Sequence, residues 1–168
     1  MPGEPVEALD ADAILRTLVD HGVDFVVIGG LAVAAHGYVR ATKDVDIVPE
    51  PGPANLDHLY RALSALGARP LELEDFRPDE LPVPFGPDAL ASGGNWALAT
   101  SHGRIDVMQW VTGIESYDAL AAGALLVELS DVGRVRFAGY HELVAMKRAA
   151  GRPDDRRDLE RLRETRAD

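Results

Sequence analysis

Residues 28–48 read IGGLAVAAHGYVRATKDVDIV, and the order of features in this stretch decides the fold. Just upstream, Phe25-Val26-Val27-Ile28 is a short, β-rich apolar run, which reads as a buried strand. It ends at Gly29-Gly30, and Leu31-Ala32-Val33-Ala34-Ala35-His36-Gly37 then reads as a short helix of small residues stopped by glycine. The glycines thus lie at a strand-to-helix turn, where residues without Cβ let backbone N–H groups approach an anion. Val45, Ile47 and Val48 mark a second strand. Strand side chains alternate faces, so Asp44 and Asp46 project together while Val45 and Ile47 enter a core on the other side.

Working outward, residues 9–21 carry Leu9, Ile14, Leu15, Leu18 and Val19 at helical spacing, closed by His21-Gly22. After the second strand, Pro49, Pro51 and Pro53 cut the run off, and residues 55–66 resume helical spacing through Leu56, Leu59, Leu63 and Leu66. Residues 75–94 hold four prolines and several glycines, which predicts a long surface loop near the substrate. Residues 96–100 and 105–110 form apolar runs around a glycine-containing turn, the pattern of an antiparallel hairpin. A short helix and a small β element are predicted over 116–138, a helix over 142–150, a break at Gly151-Arg152-Pro153, and a last helix over 154–163. The expected class is α+β: a small mixed sheet flanked by helices, in a single domain over 1–168 with a core at about 23–110 and a helical C-terminal part at about 140–165.

Composition narrows the function. The 168 residues are 46% hydrophobic and include no cysteine, which excludes thiolate chemistry and disulfide scaffolds. The N-terminus, MPGEPVEALD, is acidic and broken by proline, unlike a secretory signal, and no apolar run approaches the ~20 residues of a membrane helix. A cytoplasmic protein with no membrane partner is the expectation. The net charge of -11 argues against nonspecific nucleic-acid binding. Yet residues 147–166 hold eight basic residues against five acidic ones, so a polyanion could be met locally; the plainer reading is a solvated helix of mixed charge pairs.

Paired carboxylates repel, and a divalent cation held between oxygen ligands is the common reason for keeping them together. Ile105-Asp106-Val107 repeats the arrangement, a charge inside an apolar strand, and if that strand lies beside the first, three acids converge. Such a cluster suits two magnesium ions (Mg2+), or manganese (Mn2+), serving phosphoryl transfer. Asp44 and Asp46 would hold both metals, while Asp106 would ligate the one near the incoming hydroxyl and help to receive its proton. Gly29-Gly30 fits a phosphate site, with Arg40 and Lys43 adding full charges nearby. Alone, a glycine pair is more often a tight turn, and Asp-x-Asp is common on surfaces. Their order within a compact stretch carries the signal.

That stretch, with GRIDVM downstream, resembles the catalytic core of the DNA polymerase β-like nucleotidyltransferases. Ala-x-x-x-His-Gly (32–37) and Arg-x-Thr-x-Asp-x-Asp (40–46) resemble the minimal bacterial members that include the AbiEii-type toxins. Residues 143–162, LVAMKRAAGRPDDRRDLERL, resemble that group's helical motif of Lys, Arg and Asp-x-x-Asp-Leu, so the likeness spans about residues 23–162. It implies a nucleotidyltransferase fold whose C-terminal helices complete the nucleotide site, with Lys147 meeting the triphosphate and Asp158 fixing that lysine or the base. Two departures stand out. Leu31 follows the glycines where a serine is familiar, and Asp154 stands where relatives often carry lysine.

The resemblance implies transfer of a nucleoside monophosphate from an NTP to an RNA (tRNA-like) or protein hydroxyl, as the toxin of a toxin–antitoxin pair with a cognate antitoxin protein. The alternative is a catalytically weak nucleotide-binding or partner-binding module that keeps the fold. His36 reads as structural or nucleotide-facing, His102 as an incidental turn residue, and Trp96 and Trp110 as core or rim aromatics.

Overall fold

The computed structural model describes residues 5–71 and 84–167. The chain opens with α1 (Ala11–Asp20), whose first turn is capped by the Asp10 side chain accepting from Ala13 N at 3.1 Å; it buries Ile14, Leu15 and Leu18. Next come β1 (Phe25–Ile28), α2 (Gly29–Ala35), β2 (Asp44–Pro49) and α3 (Pro53–Ala65). Pro53 starts α3 at a position whose N–H has no intrahelical partner anyway. Then follow β3 (Arg69–Pro70), α4 (Pro87–Ala91), β4 (Asn95–Thr100), β5 (Gly103–Met108), α5 (Tyr117–Ala122), β6 (Leu125–Leu129), β7 (Gly133–Phe137), α6 (Tyr140–Ala150) and α7 (Pro153–Ala167).

All seven strands join one mixed sheet in the order β3-β4-β5-β2-β1-β7-β6. β2 pairs parallel with β5 and β1 parallel with β7; the other neighbours are antiparallel. Val45, Ile47, Ile105 and Val107 are fully buried on one face of the central strands. α1 and α3 pack on each other and against β2, while α2 packs against α6, and α6 against α7. The α+β class with a mixed sheet flanked by helices is as the sequence predicts. Among the described residues no helix is long and apolar enough to cross a membrane.

Several local expectations change. Residues 75–83 of the predicted loop lie outside the described residues, but beyond them Pro87 begins α4, which buries Ala89 and Leu90. A proline that stops a helix in its interior is at home in its first turn. β3 was not expected: it is two residues long and contains Pro70, which a sheet edge tolerates because one side needs no ladder donor. The β element predicted within 116–138 is the hairpin β6–β7, whose second strand docks against β1. α7 runs to Ala167, past the predicted end at 163, and β5 stops at Met108 rather than 110.

Candidate active site

The parallel pairing of β2 with β5 sets Asp46 opposite Asp106 and Asp44 opposite Arg104. The convergence expected of the three acids is therefore present. Asp44, Asp46 and Asp106 are each half-buried and each offers a carboxylate oxygen, all lying within 4.8 Å of one another. A donor set of oxygens alone, from carboxylates and without sulfur or imidazole, fits a hard divalent cation such as magnesium or manganese.

The site is strained electrostatically. Burial, then the neighbouring charges of Asp44 and Asp106, push the Asp46 carboxyl up to about 7. Asp44 is raised as well, by burial first and by Asp106 second, against the lowering effect of Arg104 and Arg40. Arg104 sits among these acids. Its Nε donates to Asp106 Oδ1 at 2.7 Å and its Nη2 to Asp106 Oδ2 at 2.9 Å, and Nε lies 3.7 Å from Asp44 Oδ2.

Gly29 faces Asp46, and Gly30 faces the loop that leads to β2. Gly29 has φ +69°, a left-handed conformation natural to glycine, and a Cβ there would collide with the Asp46 carboxylate. A Cβ on Gly30 would strike the Thr42 methyl and come within 3.3 Å of the Arg40 guanidinium. The turn is thus packed by Asp46 and by the loop that leads to β2, and both glycines are among the residues lining the cavity.

Acids, glycines and cations line one cavity of about 790 Å³, which also takes in Lys43, Lys147 and Arg152. α6 and α7 supply its far wall through a buried charge network. Lys147, only 8% exposed, donates to Asp155 Oδ1 at 3.1 Å and lies 3.0 Å from Asp158 Oδ2. Arg40 reaches Asp158 with both Nε (3.0 Å) and Nη2 (3.1 Å), tying the loop before β2 to α7. Burial by itself would raise the Asp155 carboxyl, but hydrogen bonds from Arg152 and Lys147 outweigh it and hold the group below its ordinary value. Arg40, Lys43 and Lys147 thus line the cavity, whereas Asp158 is not among its lining residues and instead engages Lys147 and Arg40, the latter standing beside Gly30.

The other residues singled out in the sequence lie at the cavity rim or outside its lining. His36 caps the C-terminus of α2, and its Nε2 lies 2.9 Å from the Ala138 carbonyl oxygen, to which only a protonated nitrogen can donate. The His102 carbonyl accepts from Asp10 N at 2.8 Å in the β4–β5 turn. Trp96 is buried against Phe85, at 5.3 Å between ring centroids. Trp110 is 69% exposed on the cavity rim, and the Asn95 amide clamps its backbone N–H and C=O at 3.1 and 3.0 Å. Asp154 lines the rim and lies 3.8 Å from Arg157, while Arg161 pairs with Glu164, as a helix of mixed charge pairs predicts. Sequence reasoning missed Arg104, Arg152 and Asp155. The alternation that groups Asp44 with Asp46 also places Arg104 on the face of Asp106, two residues on.

No family model matches the chain, and no curated protein matches it. Solved structures do. ANT(2")-Ia in complex with adenylyl-2"-tobramycin superposes with a TM-score of 0.53 at 18% identity, over 90% of this chain and 83% of that one. The solution structure of the antibiotic-resistance factor ANT(2'')-Ia gives 0.51 at 16% identity, over 93% and 89%. An antigenic nucleotidyltransferase-like protein from Paracoccidioides brasiliensis gives 0.51 at 12%, over 92% and 72%. At these identities the likeness is one of fold: the chain has the nucleotidyltransferase fold.

Proposed function

We propose that the chain is a metal-dependent nucleotidyltransferase that moves a nucleoside monophosphate from an NTP to a hydroxyl, acting as a single domain. One observation carries this reading: Asp44, Asp46 and Asp106 converge within 4.8 Å in the cavity that Gly29 and Gly30 line, on a sheet of the nucleotidyltransferase fold. The three carboxylates would hold two Mg2+ ions, or Mn2+ in their place. When bound, such ions neutralise triphosphate charge and lower the proton affinity of the attacking hydroxyl.

The rest of the chemistry belongs to the chain's own residues. Gly29 and Gly30 offer backbone N–H groups to the phosphates without a hydroxyl helper, since Leu31 follows them. Lys43, Lys147 and Arg40 supply positive charge around that turn. Asp158 orients both Lys147 and Arg40, and Asp155 holds Lys147 from the other side. Asp106 receives the proton of the acceptor hydroxyl as its oxygen bonds to the α-phosphorus and the bond to pyrophosphate breaks.

The minimal, AbiEii-like motifs favour a macromolecular acceptor, a tRNA-like RNA end or a protein side chain. They also favour a role as the toxin of a pair in the cytoplasm. The acidic surface suits a basic antitoxin partner. A second reading has its own support: a net charge of -11 also suits a small polycationic acceptor, and ANT(2")-Ia of the same fold is seen with adenylyl-2"-tobramycin.

Labelled NTPs, magnesium and cell extract should yield labelled RNA or protein, identified by mass spectrometry of recovered tRNA and proteins. Label on added tobramycin instead selects the second reading. Equal labelling by an Asp44→Ala/Asp46→Ala variant overturns the assignment. Tight NTP binding with no transfer under any metal or acceptor identifies a nucleotide-binding module.

A further inference from the structure

Three acids within reach of one cation repel one another, and the chain places a cation of its own among them. Arg104 takes both oxygens of Asp106, at 2.7 and 2.9 Å, and stands 3.7 Å from Asp44 across the strand pair. Its side chain is 32% exposed and opens on the cavity lined by Gly29, Gly30 and Lys43. A divalent ion ligated by Asp106 must therefore draw on an oxygen that the guanidinium already engages. A planar guanidinium fork that spans two carboxylate oxygens also matches two phosphate oxygens, which an ammonium group cannot do.

We propose that Arg104 is an exchangeable internal counter-cation: it occupies Asp106 in the metal-free protein, competes there with a bare divalent ion, and on release donates to the incoming triphosphate. The inference rests on the reading that the three carboxylates hold a cation. It makes Arg104 a residue with opposite effects on two ligands. Against the bare ion it is a competitor; toward the metal–triphosphate complex it is a donor. A merely structural ion pair would shift both in the same direction or neither.

The test uses calorimetry on the full chain with two probes, Mn2+ alone and preformed Mn2+–inorganic triphosphate, so that neither base nor acceptor need be known. Arg104→Gln should bind bare Mn2+ roughly threefold more tightly, the scale of one partly exposed ion pair. It should bind the Mn2+–triphosphate complex about tenfold more weakly, the scale of one charge-assisted contact. Arg104→Lys, which keeps the charge and loses the fork, should retain the competition and lose most of the triphosphate contact. Metal-free Arg104→Gln should also melt below the wild type, with the gap closing as Mn2+ is added, a readout that confirms the variant is folded.

Unchanged or equally weakened affinity for both probes in Arg104→Gln overturns the proposal. If Asp106→Asn meanwhile loses Mn2+, the carboxylate site stands and only the role of Arg104 falls. If Asp44→Asn, Asp46→Asn and Asp106→Asn all leave Mn2+ binding unchanged, the reading of the carboxylates falls, and this inference with it.

Discussion

The Asp46 carboxylate fills the space that a side chain on Gly29 would need. A Cβ built on Gly29 collides with Oδ2 of Asp46 and lies 3.1 Å from its Cγ, and the backbone there is left-handed, at φ +69°. The glycine thus serves the acid, letting β2 bring a charged side chain against the end of β1. Gly29→Ala should destabilise the protein by about 2 kcal/mol through backbone strain and displaced packing. It should also weaken Mn2+ binding, because Asp46 must move. Gly67 is the control: it has φ +66° with nothing within 4 Å of a built Cβ, so Gly67→Ala carries only the strain, about 1 kcal/mol. Urea unfolding with Mn2+ titration checks both, and equal effects of the two substitutions would dismiss the packing argument.

The raised Asp46 carboxyl sets a pH dependence whose sign is the reverse of a salt-bridged aspartate. Between the ordinary value of 3.8 and about 7 the folded, metal-free protein holds a proton that the unfolded chain has released. Stability therefore falls as pH rises through that window, by at most about 1.4 kcal/mol per pH unit, and levels off above pH 7. Asp44, also raised, adds in the same direction. Metal binding below pH 7 should expel that proton, so Mn2+ affinity should drop as the pH is lowered from 7. Calorimetry in buffers of different ionisation enthalpy measures the released proton, and Asp46→Asn should abolish most of the slope in stability.

The carboxylate half of the candidate site was legible because it depends on local periodicity. Strand alternation is enough to put Asp44 and Asp46 on one face, and the same pattern in Ile105-Asp106-Val107 needs only that β5 lie beside β2. What alternation cannot supply is the partner. It puts Arg104 on the acid face of β5, two residues from Asp106, but that the guanidinium also comes within 3.7 Å of Asp44 depends on the register of β5 against β2. The placing of β7 beside β1 and the pairing of Arg40 with Asp158, 118 residues away, are likewise set by tertiary packing that no window of sequence contains. Proline misled at Pro87, since the same ring that breaks a helix interior favours a helix start.

α7 is held to the cavity wall by Asp155 and by Asp158, which is 1% exposed and receives both Lys147 and the Arg40 fork. Removing one partner of a buried pair leaves the other charge uncompensated, so Asp158→Ala should lose about 3 kcal/mol; Lys147 keeps Asp155, which places the loss at the low end for such a deletion. Asp155 behaves as a paired acid should. Its folded value is lowered, so its contribution is present above the ordinary aspartate range and lost as pH falls through the lowered value. The pairing itself is isolated by a cycle with Lys147→Met, since removing both charges spares the desolvation of an orphan. The double variant should be clearly more stable than the sum of the two single losses predicts, by about 1 kcal/mol or more in urea unfolding. Strict additivity would mean that lysine and aspartate act independently, with Asp158 holding α7 through Arg40 and Lys147 holding it through Asp155.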